Sequence, residues 1–255
     1  MNTITLQGVT KRYRRAHLGR VRETLGVSSL SLEVKAGEVF GLLGLNGSGK
    51  TTTIKLILGL HAPNAGTVEV LGKPMPDLDV LGKIGYLPEG AYINRYLSGR
   101  EAVALFATLS GVPPARRGRA VDEVLEKVGM ARAASRRISE YSKGMLQRIS
   151  LAQALVHDPE ILILDEPITG LDPLAMREVR ALILWLKGRG KTVFFSSHDI
   201  SEVEKVSDRI GILAGGRLAR LVEPSEWRGR EGRLEEIFAS TVTRSEDIGP
   251  IRFQP

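Results

Sequence analysis

The chain has 255 residues, 42% of them hydrophobic and 25% charged, a balance that excludes wholesale disorder and leaves volume for one α/β domain with a subsidiary lobe. It contains no cysteine, which removes disulfides, thiol catalysis and Cys-ligated zinc and agrees with a reducing compartment. The net charge of +7 is read first as a solvated basic surface: the densest basic run, Lys11 to Arg22, holds one aromatic residue and lacks the Arg/aromatic alternation that stacks bases, which argues against nucleic acid as the partner.

The opening MNTITLQGVTKRY has neither the basic flank nor the apolar core of a secretion signal, and no apolar run approaches the roughly 18 to 20 residues of a spanning helix, so a soluble chain is expected. TITLQGV and SLSLEV alternate as strands. VFGLLG (39–44) is a short apolar run ending in glycine, the pattern of a buried strand that feeds a phosphate loop, and TTTIKLILGL continues as a helix. After the PNAG turn, TVEVLG and KIGYLPE read as further strands.

From Leu97 to Ala154 only helical signals occur. Ser98 and Glu101 form a capping box ahead of AVALFATL, and Val121, Val124, Leu125 and Val128 mark one face of a second helix. In YSKGMLQRISLAQALVHDP, Ser142 is placed as the N-cap of a helix whose Met145, Ile149, Ala152 and Leu155 share a face. Strand signals return in ILILDEP, then a helix from Asp172 with Pro173 at its first position, then TVFFSSH, a helix through EVEKV, and RIGILAGG. The expected fold class is therefore α/β, a mainly parallel sheet flanked by helices, with a helical lobe inserted at about 90–155 and a small antiparallel β subdomain. Residues 1–222 form the expected main domain and 223–255 a tail, in which RLEEIFAS is a short helix and TRSEDIGPIRFQP is loose.

GLNGSGKTT (44–52) fits G-x-x-x-x-G-K-[ST] directly between a predicted strand and a predicted helix. Glycines at 44, 47 and 49 let successive N–H groups turn inward on a phosphate, Lys50 reaches the terminal phosphates, and Thr51 offers a hydroxyl to magnesium. ILILDEP ends an apolar strand in Asp165 and Glu166; alternation points the two carboxylates to opposite sides, one for the magnesium shell and one toward a water beside the terminal phosphate, which makes Glu166 the candidate base. His198 closes the strand TVFFSSH, where position alone fits an approach to phosphate and a satisfied turn residue equally well. The N-terminus of the helix after Ser142, with Gly144 in its first turn, is a second plausible phosphate cradle.

The set GLNGSGKT, YSKGMLQR, ILILDEP, TGLDP and SSH, in that order, resembles the nucleotide-binding subunit of ABC transporters, a P-loop NTPase fold, from Tyr13 to about residue 215. The resemblance implies an ATP-hydrolysing subunit with ATP and Mg2+ as ligands. Two cassettes pair head to tail, as a homodimer or a heterodimer, around ATP held between the P-loop of one and the signature helix of the other. It assigns Asn46, Gly47, Ser48, Gly49, Lys50, Thr51 and Thr52 to the nucleotide, Ser142 and Gly144 to the partner cassette's nucleotide, and Thr51, Glu89 and Asp165 to the metal. Glu166 and His198 become catalytic, Asp172 lies at the dimer interface, and Tyr13 stacks on adenine, although KRYRRAHLGRVRETLG is longer than the family usually has there and an edge-strand tyrosine stays open. Glu89 stands where most cassettes carry glutamine, and the signature is YSKGM rather than LSGGQ; both variants resemble type-two exporters. An integral membrane subunit is the implied partner, docked through 91–97, with the cassette peripheral on the cytoplasmic face. A soluble ABC ATPase acting on ribosomes or nucleic acid is the alternative; the second cassette, coiled coils and zinc modules usual there are not visible.

Overall fold

The computed structural model describes residues 2–17, 20–90 and 92–246. In chain order the elements are β1 (Asn2–His17), β2 (Arg20–Lys35), β3 (Val39–Leu43), α1 (Lys50–Ile57), β4 (Ala65–Val70), β5 (Lys73–Pro74), α2 (Leu78–Leu81), β6 (Ile84–Leu87), α3 (Gly99–Leu109), α4 (Pro114–Lys127), α5 (Lys143–Leu155), β7 (Ile161–Asp165), α6 (Pro173–Gly188), β8 (Thr192–Ser197), α7 (Ile200–Val206), β9 (Arg209–Ala214), β10 (Arg217–Val222), α8 (Pro224–Trp227) and α9 (Arg233–Glu246). They fall into two compact units, one made of residues 1–76 and 196–255, the other of 77–195.

The first unit holds an antiparallel sheet in the order β2-β1-β4-β5. Its buried face comes from alternate residues, Ile4, Leu6 and Leu30, Leu32, Val34, as period-two patterning requires. β1 and β2 pair as far as His17 opposite Arg20, well beyond the last β1–β4 pair at Thr10 and Ala65, so KRYRRAHLGRVRETLG is a two-stranded arm rather than a loop. The same unit lays β3 parallel to β9, with β10 antiparallel on the other side of β9. All five residues of β3 are buried, which explains the unbroken apolar run. Its start is fixed by polar contacts: Val39 N–H donates to Asp208 Oδ2 at 3.0 Å, and Arg209, almost fully buried, donates to Glu38 at 3.2 Å and to Glu223 at 3.1 Å.

Here the structure corrects the reading of the tail. α9 runs six residues past RLEEIFAS, to Glu246, so the first part of TRSEDIGPIRFQP is helical. Leu234, Ile237, Phe238 and Val242 are buried at helical spacing against β9 and β10, and Trp227 of α8 is fully buried. Residues 247–255 lie outside the described residues.

In the second unit β8, β7 and β6 are neighbours, and β6 and β7 run parallel. The helical lobe of α3, α4 and α5 belongs to this unit. Ser98 and Glu101 form the expected capping box, Ser98 N–H donating to Glu101 Oε2 at 2.8 Å and Glu101 N–H to Ser98 Oγ at 3.2 Å. Val121, Val124 and Leu125 are the buried face of α4. α5 packs on α3, α4 and β6, and the turn after it is tied to β6 by His157, whose Nε2 lies 3.2 Å from Ile84 O.

Candidate functional site

In the first unit the loop between β3 and α1 is already folded as a cradle. Lys50 is buried, and its Nζ donates back to Gly44 O at 2.8 Å and Leu45 O at 3.2 Å, which holds the ammonium inside the loop. Gly49, the N-cap of α1, has φ +109°, and a Cβ there would come within 2.5 Å of Gly26 O; only glycine gives the helix this entry. Gly44 N–H donates to Ser197 O at 3.2 Å, tying the loop's first glycine to the residue before the exposed His198. Gly47 also has positive φ, and Asn46 is exposed beside it. Ser48 is buried, its Oγ without a hydrogen-bond partner.

The three threonines that follow have different environments. Thr53 Oγ1 donates to Gly49 O at 3.0 Å, and Thr52 Oγ1 accepts from the Tyr13 hydroxyl at 3.4 Å. Thr51 Oγ1 makes no hydrogen bond among the described residues. A hydroxyl at the start of α1 with nothing else to bind suits a hard cation. No group of three or more His, Asp or Glu side chains that could hold a metal occurs among the described residues. This donor set fits magnesium bound mainly through a nucleotide's phosphates and a few protein oxygens rather than through a protein cage.

Tyr13 sits on the β1–β2 arm, not on an ordinary sheet edge. Its ring covers Gly26, where an added Cβ would lie 2.8 Å from Cε2, and its hydroxyl is tethered to α1 through Thr52. Lys11 Nζ lies 5.6 Å from the ring centroid and His61 meets it edge-on at 5.5 Å. Burial, with help from Lys11 and Lys55, holds the His61 imidazole below its usual range. The arm thus presents a half-buried aromatic ring held from several sides.

In the second unit β7 delivers Asp165, almost fully buried, at its last position. Glu166 is also buried, but it has left the strand: its φ is +50°, and Thr169 Oγ1 donates to its Oε2 at 2.9 Å. Strand alternation is therefore not what sets the direction of Glu166. A left-handed turn does so, a costly conformation for a residue with a side chain and one concentrated at working sites. Burial, then the Asp165 carboxylate and Tyr92, push the Tyr86 hydroxyl up to about 12. Glu89 follows β6 and is exposed.

Ser142 caps α5 as expected, its Oγ accepting from Met145 N–H at 3.3 Å. Gly144 has nothing within 4 Å of where a Cβ would sit, so that side of the first turn is open. Three ties join α5 to the chain that follows β7, and sequence reasoning missed all three. Gln147 Nε2 donates to Pro167 O at 2.6 Å, Arg148 Nη2 donates to both Glu178 oxygens at 2.8 and 2.6 Å, and Lys143 Nζ rests against Gly170. Asp172 caps α6, its Oδ1 accepting from Leu174 at 3.0 Å and Ala175 at 2.9 Å.

Residues 27–169 match the ABC transporter family, and the chain belongs to that family. It is 47% identical over 224 residues to an uncharacterized ABC transporter ATP-binding protein of Nostoc, covering 87% of this chain and 64% of the relative. It is 43% identical to the bacitracin transport ATP-binding protein BcrA of Bacillus licheniformis (86% and 72% covered) and 39% to the Nod factor export ATP-binding protein I of Paraburkholderia xenovorans (88% and 76%). The chain thus spans somewhat less than two thirds of the cyanobacterial relative. Among solved structures, the ATP-binding cassette MJ0796, dimeric in a post-hydrolysis state bound to ADP and Pi, superposes with a TM-score of 0.77 at 27% identity, covering 86% of this chain and 98% of that one. An ATP-binding subunit of an ABC transporter gives 0.79 at 26%, covering 94% and 99%. The fold is accordingly the P-loop cassette fold expected.

Proposed function

We propose that the chain is the ATP-binding and ATP-hydrolysing cassette of an ABC exporter and that it works in pairs. The observation that supports this is the folded glycine loop around Lys50 in one unit and the open, Ser142-capped N-terminus of α5 in the other, which we read as two phosphate cradles. One nucleotide needs only one of them. A second cradle is explained when it closes on the nucleotide of another copy, so that ATP attracts both faces and hydrolysis ends the attraction.

In this reading the loop amides of Asn46 to Thr52 and Lys50 hold the phosphates, and Tyr13 stacks on the adenine. Ser142 and Gly144 receive the terminal phosphate of the partner's ATP. Thr51, Asp165 and Glu89 supply oxygens to magnesium, which when bound neutralises charge on the phosphates. Glu166 orients the attacking water and accepts its proton as the new bond to the terminal phosphorus forms and the bond from that phosphorus to the bridging oxygen breaks, ADP leaving with the bridging oxygen; Lys50 and His198 stabilise the charge that builds on the transferred group. Asp172, beyond its cap, lies at the interface.

Among the described residues no helix is long and apolar enough to cross a membrane. From membership of the ABC transporter family, the reading assigns the pathway to a membrane subunit and places the cassette on its cytoplasmic side. Tyr92 and Tyr96, 86% and 84% exposed, are aromatic anchors of the stretch assigned to dock it; Ala91 lies outside the described residues. Export is supported by the names of the bacitracin and Nod factor relatives and by the Glu89 and YSKGM variants. The test is Glu166→Gln with magnesium and ATP. It should bind ATP, turn over very slowly and sediment as a dimer, whereas ADP leaves it monomeric. Ordinary turnover in this variant removes Glu166 as base, and a monomer at saturating ATP overturns the paired site.

A further inference from the structure

The second unit holds a cavity of about 700 Å3 that the site above does not use, walled by the α3–α4 turn, α4, the turn after α5 and the end of α6. Its charges do not cancel. Two carboxylates line it and each already has a cation: Glu123 accepts from Arg119 Nε at 2.6 Å, and Asp158 Oδ1 lies 2.9 Å from Lys191 Nζ. Three further cations in the wall, Arg116, Lys127 and Arg189, form no ion pair and no side-chain hydrogen bond among the described residues. His157 also lines the cavity, and burial favours its neutral ring.

The unpaired cations stand at two ends. Arg116 belongs to the first turn of α4 and Lys127 is its last residue, roughly 16 Å away along the helix axis. Lys127 Nζ and Arg189 Cζ lie 4.6 and 4.9 Å from the centroid of the Trp185 ring, which keeps those two together. Arg116 has the N-terminus of α4 beside it: Pro113 and Pro114 carry no N–H, the amide of Ala115 makes no hydrogen bond among the described residues, and the first turn has no acidic residue. Arg117 Nε donates to Val112 O at 2.7 Å and fixes the turn that leads in. Carbonyls at the ends of α5 and α6, which repel anions, are in part taken: Leu155 O accepts from Asp158 N–H, Asp158 O from Lys191 Nζ, and Leu186 O and Lys187 O from amides that follow them.

We propose that this cavity binds a small organic molecule carrying two separated phosphate groups, one held by Arg116 and the Ala115 amide, the other by Lys127 and Arg189. Its volume is that of a small-molecule site, and cations without carboxylates of their own favour phosphate. Val112, Val124, Leu155 and Val156 supply apolar wall that suits a carbon skeleton between the two phosphates. The site is separate from the paired nucleotide site and does not depend on it.

The experiment uses the full chain with magnesium and a slight excess of ADP, so that the phosphate loop is filled, and titrates fructose 1,6-bisphosphate by calorimetry. One molecule should bind per chain, and fructose 6-phosphate, with a single phosphate, should bind about tenfold more weakly. Arg116→Gln and Arg189→Gln should each weaken the bisphosphate about tenfold and leave the melting temperature near the parent's, since neither side chain has a carboxylate to lose. Ala120→Trp, which fills the cavity without changing its charge, should abolish binding; if it melts far below the parent, the two arginine substitutions decide. Arg230→Gln combined with Arg244→Gln removes two exposed cations elsewhere and should change nothing. No binding at about 10 mM probe, equal affinity for the two sugar phosphates, or an equal loss in the Arg230 and Arg244 double variant overturns the site. So does capture of the chain by vesicles of phosphatidylglycerol and phosphatidylcholine without uptake of the soluble bisphosphate, which would make these arginines an exposed lipid-facing surface.

Discussion

Asp172 has one role visible in its contacts and one proposed, and two substitutions separate them. Its Oδ1 accepts from the amides of Leu174 and Ala175, so Asp172→Ala should cost about 1 kcal/mol, or roughly 2–4 °C of melting temperature in a chain of this size. Asparagine caps as well as aspartate, so Asp172→Asn should melt close to the parent. Thermal unfolding checks this, and an equal drop in both variants would show that the charge and not the cap stabilises α6. ATP turnover reads the second role: a loss in Asp172→Asn at unchanged melting temperature belongs to the interface. Residue identities were legible to this extent because caps, phosphate loops and strand-end carboxylates are local patterns. The left-handed turn at Glu166 was not legible, since nothing in ILILDEP distinguishes a strand that continues from one that turns away and is held by Thr169.

At the scale of elements, α5 shows where sequence reading stops. Its start, cap and buried face followed from spacing, but its anchoring to the chain after β7 depends on Gln147, Arg148 and Lys143 reaching residues 20, 30 and 27 positions away, and periodicity carries no such information. The same applies to the β1–β2 arm, whose charged outer half lacks the apolar alternation that marks a strand, and to the reach of α9. The other end of α5 gives a pH test. Burial, the largest cause, holds the His157 imidazole below its usual 6.5, against the Ile84 hydrogen bond and Asp158, which raise it; Lys191 lowers it further. Neutral, it donates Nε2–H to Ile84 O while Nδ1 is buried without a partner. As pH falls below about 6.5 the unfolded chain takes up a proton that the folded chain resists, so the stability tied to a neutral His157 is present above that pH and lost below it. Melting temperature should therefore fall more between about pH 7.5 and pH 5 in the parent than in His157→Gln, which keeps a donor but does not titrate. Parallel declines would remove His157 as the cause.

For the whole molecule, the geometry of pairing is the property that no single chain displays, and the composition makes it testable. The chain has no cysteine, so introduced thiols are the only ones present. Asn46 is exposed in the phosphate loop of the first unit and Ser142 is exposed at the tip of α5 in the second. In the head-to-tail pair proposed above, the phosphate loop of one copy meets the tip of α5 of the other, which would bring these two positions together at the nucleotide's edge. Asn46→Cys and Ser142→Cys, each in the Glu166→Gln background, should give little disulfide alone because each places its thiols at separate sites of the pair. Mixed in equal amounts with ATP and a mild oxidant, they should form a cross-linked dimer, and with ADP they should not. Cross-linking in either variant alone at the same rate would mean that copies meet head to head. No cross-link in the mixture, while sedimentation shows an ATP-dependent dimer, would mean that the pair forms through another face, and the second cradle would then need a different ligand.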